Sequence, residues 1–156
     1  MSMREWDLLQ GLSPQGKSEI LALASSRYLT KGEVLFRLGD RAEDLFLVRS
    51  GRVDLTFPIR LRSGKEEILA EDRHPGQLVG WSGLTPPHRF TLQAIAAAET
   101  ELLVLPGQRL RDLFLIKPEI GYSVLSNLAR IVGQRLTILQ TMWIRELQRA
   151  VEKQGP

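Results

Sequence analysis

The sequence predicts a mainly β domain of sandwich, jelly-roll or barrel type, with helices at both ends. Three observations carry this. Between Tyr28 and Leu105, short apolar stretches alternate with turn residues about every ten positions. Ahead of them, Ser13 and Pro14 mark a helix start. Beyond Pro118, apolar residues recur at three- and four-residue spacing almost to the end of the chain.

Taken in order, "REWDLLQGL" predicts about two helical turns ended by Gly11. In "SPQGKSEILALASS", Ser13 is the expected N-cap and Pro14 the first helical residue, with Ile20, Leu21, Leu23 and Ala24 turned to a core. "EVLFRLGD", "DLFLVRSGRVDLTF", "KEEILAEDR", "QLVGW" and "FTLQAIAAAETELLVL" read as strands. Arg49–Gly51 and Arg62–Lys65 read as the turns of two hairpins, with Gly51 and Gly64 free to take positive φ. Ala96 to Ala98 suits helix as well as strand. "GQRLRDLFLIKP" gives a short helix stopped by Pro118.

A long helix is expected from Glu119 to about Lys153. Its stripe of Leu125, Leu128, Val132, Leu136, Leu139, Trp143, Leu147 and Ala150 keeps a period near 3.6. At 1.5 Å per residue such a helix spans roughly 50 Å, more than a small domain needs to cover itself. The expected partner is a second copy, giving a homodimer through this helix. Met142 and Ile144 flank Trp143 and cannot all face one partner, so either a second contact surface exists or Trp143 simply fills the dimer core. The chain thus divides into residues 1–117, carrying the β-rich body, and 118–156, the long helix with a short "KQGP" tail.

Composition narrows the function classes. At 156 residues, with 43% hydrophobic and 25% charged, the chain has material for one cored domain of ordinary soluble type. No apolar run approaches the ~20 residues of a membrane span. Asp7 and Gln10 interrupt any signal-peptide core, so a cytoplasmic location is expected. With no cysteine, disulfides and thiolate chemistry are excluded. A net charge of +3 is mild, and the arginines are scattered from Arg4 to Arg149 with acids close by, so direct nucleic-acid binding is not expected.

Enzymatic chemistry finds little support. A metal centre in a β-roll needs converging His and carboxylate ligands, and only His74 and His88 are present, with no His-x-His pair. Ser82 lies in "GWSG", superficially a nucleophile elbow, but the strand-to-helix setting of a parallel sheet is absent. No required cofactor, no metal and no catalysis are expected.

Three stretches carry a family resemblance. "KGEVLFRLGDRAEDLFLVRSGRVDL" has Gly32, Gly39, Asp40 and Gly51 at turn positions, "HPGQLVGWSGL" follows, and "PHRFTLQAIA" leads into the next strand. Together they resemble the cyclic-nucleotide-binding domain superfamily over nearly the whole chain. The resemblance implies a double-stranded β-helix, or jelly roll, of eight strands flanked by N-terminal helices and a long C-terminal helix. It also implies that the run Val79–Phe90 is a phosphate-binding cassette, with Gly80, Trp81, Ser82, Gly83, Leu84, His88, Arg89 and Thr91 as the candidate ligand-binding residues.

The departures from the family's cassette are as informative as the matches. Gly80, Gly83, Leu84, Pro87 and Thr91 match in type or nearly so. The position of the family's ribose-binding glutamate is Trp81, whose side chain can donate a hydrogen bond but not accept one. The position of its phosphate-binding arginine is His88, with Arg89 one step later. The resemblance therefore implies weak or absent cAMP binding. An anion site built from backbone amides near Gly80 to Leu84, with Ser82 and Arg89, stays open if the loop shifts by one residue. Strand alternation would instead put His88 and Phe90 on one face and Arg89 on the other, with Trp81 plugging the cavity. The expected role is a dimeric regulatory sensor or adaptor for a nucleotide or other anionic ligand, with a protein partner for output. The alternative is an interaction scaffold without ligand. Regulators of this family carry a winged helix-turn-helix after the long helix. None follows here before Pro156, so direct DNA control is not expected.

Overall fold

The computed structural model describes residues 5–155, which leaves Arg4 of the first expected helix and Pro156 of the tail outside it. Helix α1 spans Pro14–Leu21. Eight strands follow: β1 Ser25–Leu29, β2 Val34–Phe36, β3 Asp44–Ser50, β4 Val53–Leu61, β5 Gly64–Arg73, β6 Leu78–Val79, β7 Gln93–Ala96 and β8 Thr100–Pro106. Helices α2 (Gly107–Ile116) and α3 (Pro118–Lys153) close the chain. The strands form two four-stranded antiparallel sheets, in the orders β1-β8-β3-β6 and β2-β7-β4-β5, which is the jelly-roll sandwich with helical flanks that the sequence predicts.

Alternation along β3 builds the two cores. Phe46 and Val48 point between the sheets, where they join Phe36, Leu55, Phe90 and Leu102. Leu45 and Leu47 point the other way, into a second cluster with Ile20, Leu110, Val124 and Leu128 from the helices. Ser13 caps α1 as expected, its hydroxyl accepting from the Gly16 amide at 3.0 Å. The Asn127 side-chain amide, buried on α3, donates to the carbonyls of Leu8 and Gln10 at 2.8 Å each and so pins the N-terminal segment to the long helix.

Two local expectations are corrected. "REWDLLQGL" forms a single 3₁₀ turn at Asp7–Leu9 rather than two α-helical turns, because Asn127 and the Gly76 carbonyl, which accepts from the Asp7 amide at 2.9 Å, compete for its backbone. The Arg49–Gly51 turn does not close a hairpin. β3 and β4 lie in different sheets, and the turn carries the chain across the sandwich. The Arg62–Lys65 turn does close one, since Leu61 pairs with Gly64 at the tip of β4–β5. Of the ambiguous alanines, Ala96 ends β7 and the next two lie in a bend.

At 36 residues α3 runs about 54 Å. Its first half is held on the domain by Ile120, Val124, Asn127, Leu128, Ile131 and Arg135. Beyond Arg135 no residue of the helix is buried, yet Leu136, Leu139, Trp143 and Leu147 recur at helical spacing and are 42–66% exposed. On a helix of 3.6 residues per turn this stripe is centred roughly 100° round from the buried face. No described helix is long and apolar enough to cross a membrane.

Candidate functional site

Strand β6 delivers the chain to Gly80, whose φ of +80° turns it into a 3₁₀ turn at Trp81–Gly83. Glycine takes this backbone without strain. A Cβ at this position would lie 3.1 Å from Phe90 and 3.3 Å from Phe46. Three aromatic rings thus pack over Gly80, with Phe36 and Phe90 stacked at 3.6 Å between centroids and 8° between planes. What they leave is a cavity of about 20 Å³, bounded in part by Gly80, Trp81, Ser82, Thr91 and Arg135. That is room for a water molecule.

The remaining cassette residues are engaged in holding the loop itself. The amides of Gly83 and Leu84 donate to the carbonyls of Gly80 and Trp81 at 3.1 Å, so they do not form the outward-facing row expected of an anion nest. Gly83 packs against Asp44 and Leu45, and its carbonyl accepts from Arg111 Nη1 at 2.9 Å, which bolts the loop to α2. Leu84 is buried in the helix-side core. His88 takes the left-handed backbone region at φ +56°, uncommon for a residue with a side chain. Its Nδ1–H donates to the Ser82 carbonyl at 3.1 Å, closing the loop on itself.

Arg89 lies outside this cluster. It is exposed, pairs through its backbone with Arg41, and donates from Nη1 to the Gly39 carbonyl at 3.0 Å. Thr91 is exposed on the rim of the small cavity. Of the eight candidate residues, four therefore share the cavity wall, three hold the loop, and Arg89 stands apart.

One charged residue that the cassette pattern does not include lies at this wall, Arg135 from α3, and it pairs with Glu71 from β5. Arg135 is 7% exposed; its Nη2 donates to the Leu78 carbonyl at 2.8 Å and its Nε stands 3.3 Å from Glu71 Oε2. Arg73 Nη2 reaches the same carboxylate oxygen at 3.3 Å. Burial, reinforced by Arg73, brings Arg135 down to about 10 against the opposing pull of Glu71 and Asp7, so the guanidinium stays charged at neutral pH. The signal for Arg135 was present in the sequence. It stands four residues after Ile131 and seven after Leu128, on the helix's buried face.

Asp7 completes this corner, with Oδ2 accepting from the Leu78 amide at 3.3 Å. Burial raises its pKa above 3.8, partly offset by that hydrogen bond and by Arg73. For an acid raised in this way the stabilising contribution is present below the unfolded value and is lost as pH rises through the folded one. Asp7→Asn removes the loss. The stability difference between variant and native protein is therefore expected to shift in the variant's favour as pH rises from about 3.5 to about 7. Urea midpoints at several pH values read this, and a difference that stays flat with pH would contradict it.

Beside the small cavity, and sharing Trp81, Thr91, Leu92 and Arg135 with it, opens a cleft of about 600 Å³. One wall is the β4–β5 hairpin, with Phe57, Ile68 and Leu69, and the other is α3, with Leu136, Leu139 and Met142. Among the described residues there is no group of three or more His, Cys, Asp or Glu placed to hold a metal ion.

A glycine-led turn seated in a jelly roll and faced by a long helix defines a regulatory domain of cyclic-nucleotide-binding type. The pattern of the cyclic nucleotide-binding domain matches residues 26–116, and the chain belongs to that family. It is similar to the transcriptional activator protein FnrA of Stutzerimonas stutzeri, 31% identical over 83% of this chain and 48% of that one. It is also similar to the cyclic AMP receptor protein of Thermus thermophilus, 30% identical over 82% of this chain and 58% of that one. Among solved structures, the N-terminal domain of a transcriptional regulator from Streptomyces coelicolor superposes with a TM-score of 0.69, at 26% identity, over 87% of this chain and 93% of that one. The chain spans about half the length of these curated relatives.

Proposed function

We propose that this chain is a cytoplasmic, dimeric regulatory domain whose cassette has given up cyclic-nucleotide phosphate binding, with any effector taken instead in the neighbouring cleft. The observation that carries this is the cavity of about 20 Å³ at the cassette, against the ~300 Å³ or more of a small-molecule pocket. Chemistry points the same way. Trp81 cannot accept a ribose hydroxyl, and the nearest arginine in sequence is tied to Gly39 outside the loop. Each lost charged contact costs about 1.5–3 kcal/mol, one to two decades of affinity. Dimerisation through α3 is supported by the exposed stripe beyond Arg135.

A second reading, a dimeric scaffold with no small-molecule ligand, is favoured by the outward position of Arg89. Both readings expect the same result from titration calorimetry with cAMP and cGMP, namely no saturable heat at tens of micromolar. Submicromolar affinity for either nucleotide would overturn both, because it would require the Phe36–Phe90 stack to open.

A further inference from the structure

We propose that the cleft between the β4–β5 hairpin and α3 binds an apolar monoacid, a hydrocarbon body with one carboxylate head, and that Arg135 receives the head. The inference rests on the ligand-sensing form of the reading above and gives the chemical class of its ligand. Three observations lead to it.

The first is the distribution of polarity. Away from its inner end the cleft offers only hydrocarbon and ring surfaces, Phe57, Ile68 and Leu69 facing Leu136, Leu139 and Met142. A nucleobase lodged there would lose its hydrogen bonds to water and gain none, which is costly. An alkyl chain loses nothing. The wall from Arg135 to Met142 runs about 10 Å along the helix axis, the reach of a medium-length chain.

The second is the charge at the inner end. Among the described residues, Arg135 and Glu71 are the only ionisable ones lining the cleft, and Arg135 is the only cation. A single carboxylate oxygen, Glu71 Oε2, serves both Arg135 and Arg73. Asp7 contributes charge nearby, but its Oδ2 is given to the Leu78 amide and its Oδ1 meets no donor.

The third is an unmet donor. The Arg135 side chain is more than nine-tenths buried, and its Nε–H, though 3.3 Å from Glu71 Oε2, is not aimed at it in hydrogen-bonding geometry. Buried donors without partners are rare in folded proteins. A carboxylate is the acceptor that a guanidinium matches best. Because Arg135 lines the small cavity as well as the cleft, a head group placed there has room for an oxygen atom beyond it.

Decanoate, decanol and decylamine, each below its aggregation threshold, test this on the intact protein by titration calorimetry and by the fluorescence of Trp81 at the cleft wall. Decanoate is expected to bind saturably, at least tenfold more tightly than decanol, with decylamine weaker still. Shortening the acid should loosen binding about fourfold per methylene. Arg135→Met is expected to abolish the preference for acid over alcohol while decanol still binds. Because that variant also loses the Leu78 and Glu71 contacts and can fail to fold, Leu69→Glu, at a half-exposed wall position, provides an independent arm and should weaken decanoate by tenfold or more. Equal affinities for acid and alcohol, or no saturable binding, would overturn the proposal. So would binding seen only in a monomer made by Leu147→Asp, a stripe position outside the cleft lining, which would assign the cleft to a second copy of the chain. Cyclic-nucleotide titration and molecular mass are separate readouts, so failure here leaves the proposed function to stand or fall by its own tests.

Discussion

Leu136→Asp is expected to turn a dimer into a folded monomer. Light scattering at micromolar concentration should report about twice the 17.6 kDa chain mass for the native protein and one chain for the variant. Leu136 is 54% exposed in the single chain, so the change costs that chain little. In a two-fold seam the same side chain is covered twice, once from each copy. Each burial is worth about 2 kcal/mol, and each buried aspartate adds a desolvation penalty of several kcal/mol more. Even partial burial therefore raises the dissociation constant by about three decades or more. Arg145→Ala makes the informative control, because it is a substitution on the same exposed half of α3 away from the stripe, and it should leave the mass unchanged. A native protein that is monomeric at those concentrations and indifferent to Leu136→Asp would remove the dimer from the proposal.

The largest loss of stability from a single methyl group is expected at Gly51. The residue sits at φ +87° where the chain crosses from one sheet to the other. A Cβ there would fall 2.3 Å from the Glu99 carbonyl oxygen and 2.5 Å from Thr100 Oγ1. Neither can move freely. The Thr100 hydroxyl lies 2.8 Å from the Ala98 carbonyl and 3.2 Å from that of Arg52, and it accepts from the Arg52 amide at 3.3 Å. Gly51→Ala thus combines the left-handed backbone cost of about 1–2 kcal/mol with an overpacking cost of about 1–3 kcal/mol. For a chain of this size that lowers the melting temperature by roughly 5–15 °C. Gly39→Ala isolates the backbone part, since Gly39 has φ +90° and nothing within 4 Å of the added carbon. A Gly51→Ala loss no greater than that of Gly39→Ala would show that the crossing relaxes more readily than its contacts imply.

The turns at Gly51 and Gly64 show what a sequence can convey. Positive φ at Gly51 and Gly64 is legible, because turn chemistry is local. Which strands the turn joins is not. "RSG" and "RSGK" look alike, and only the pairing of β3 with β8 and of β4 with β7 separates a sheet crossing from a hairpin. The jelly roll, the Ser13 cap and the limits of α3 were legible from spacing and family pattern. In the cassette, the absence of a glutamate at Trp81 was legible, but the direction of Arg89 was not. It follows from the Gly39 carbonyl, fifty residues away in sequence. Arg135 escaped notice because a lone arginine on a helix with several others carries no mark, until its place among Leu128 and Ile131 is weighed against the rarity of buried charge.

Because α3 is unbroken by proline or glycine after Gly133, it transmits motion as a rigid beam. Arg135 is the last buried point on it, a pivot held by Leu78 and Glu71. From there to Val151 the free arm measures about 24 Å. A tilt of about 5° at the pivot, the scale of one side chain repacking, carries the far end through about 2 Å. That is enough to take a knob out of its hole in the proposed helix pair, where the mechanical gain between cleft and seam would be set by where along the helix its last anchor falls.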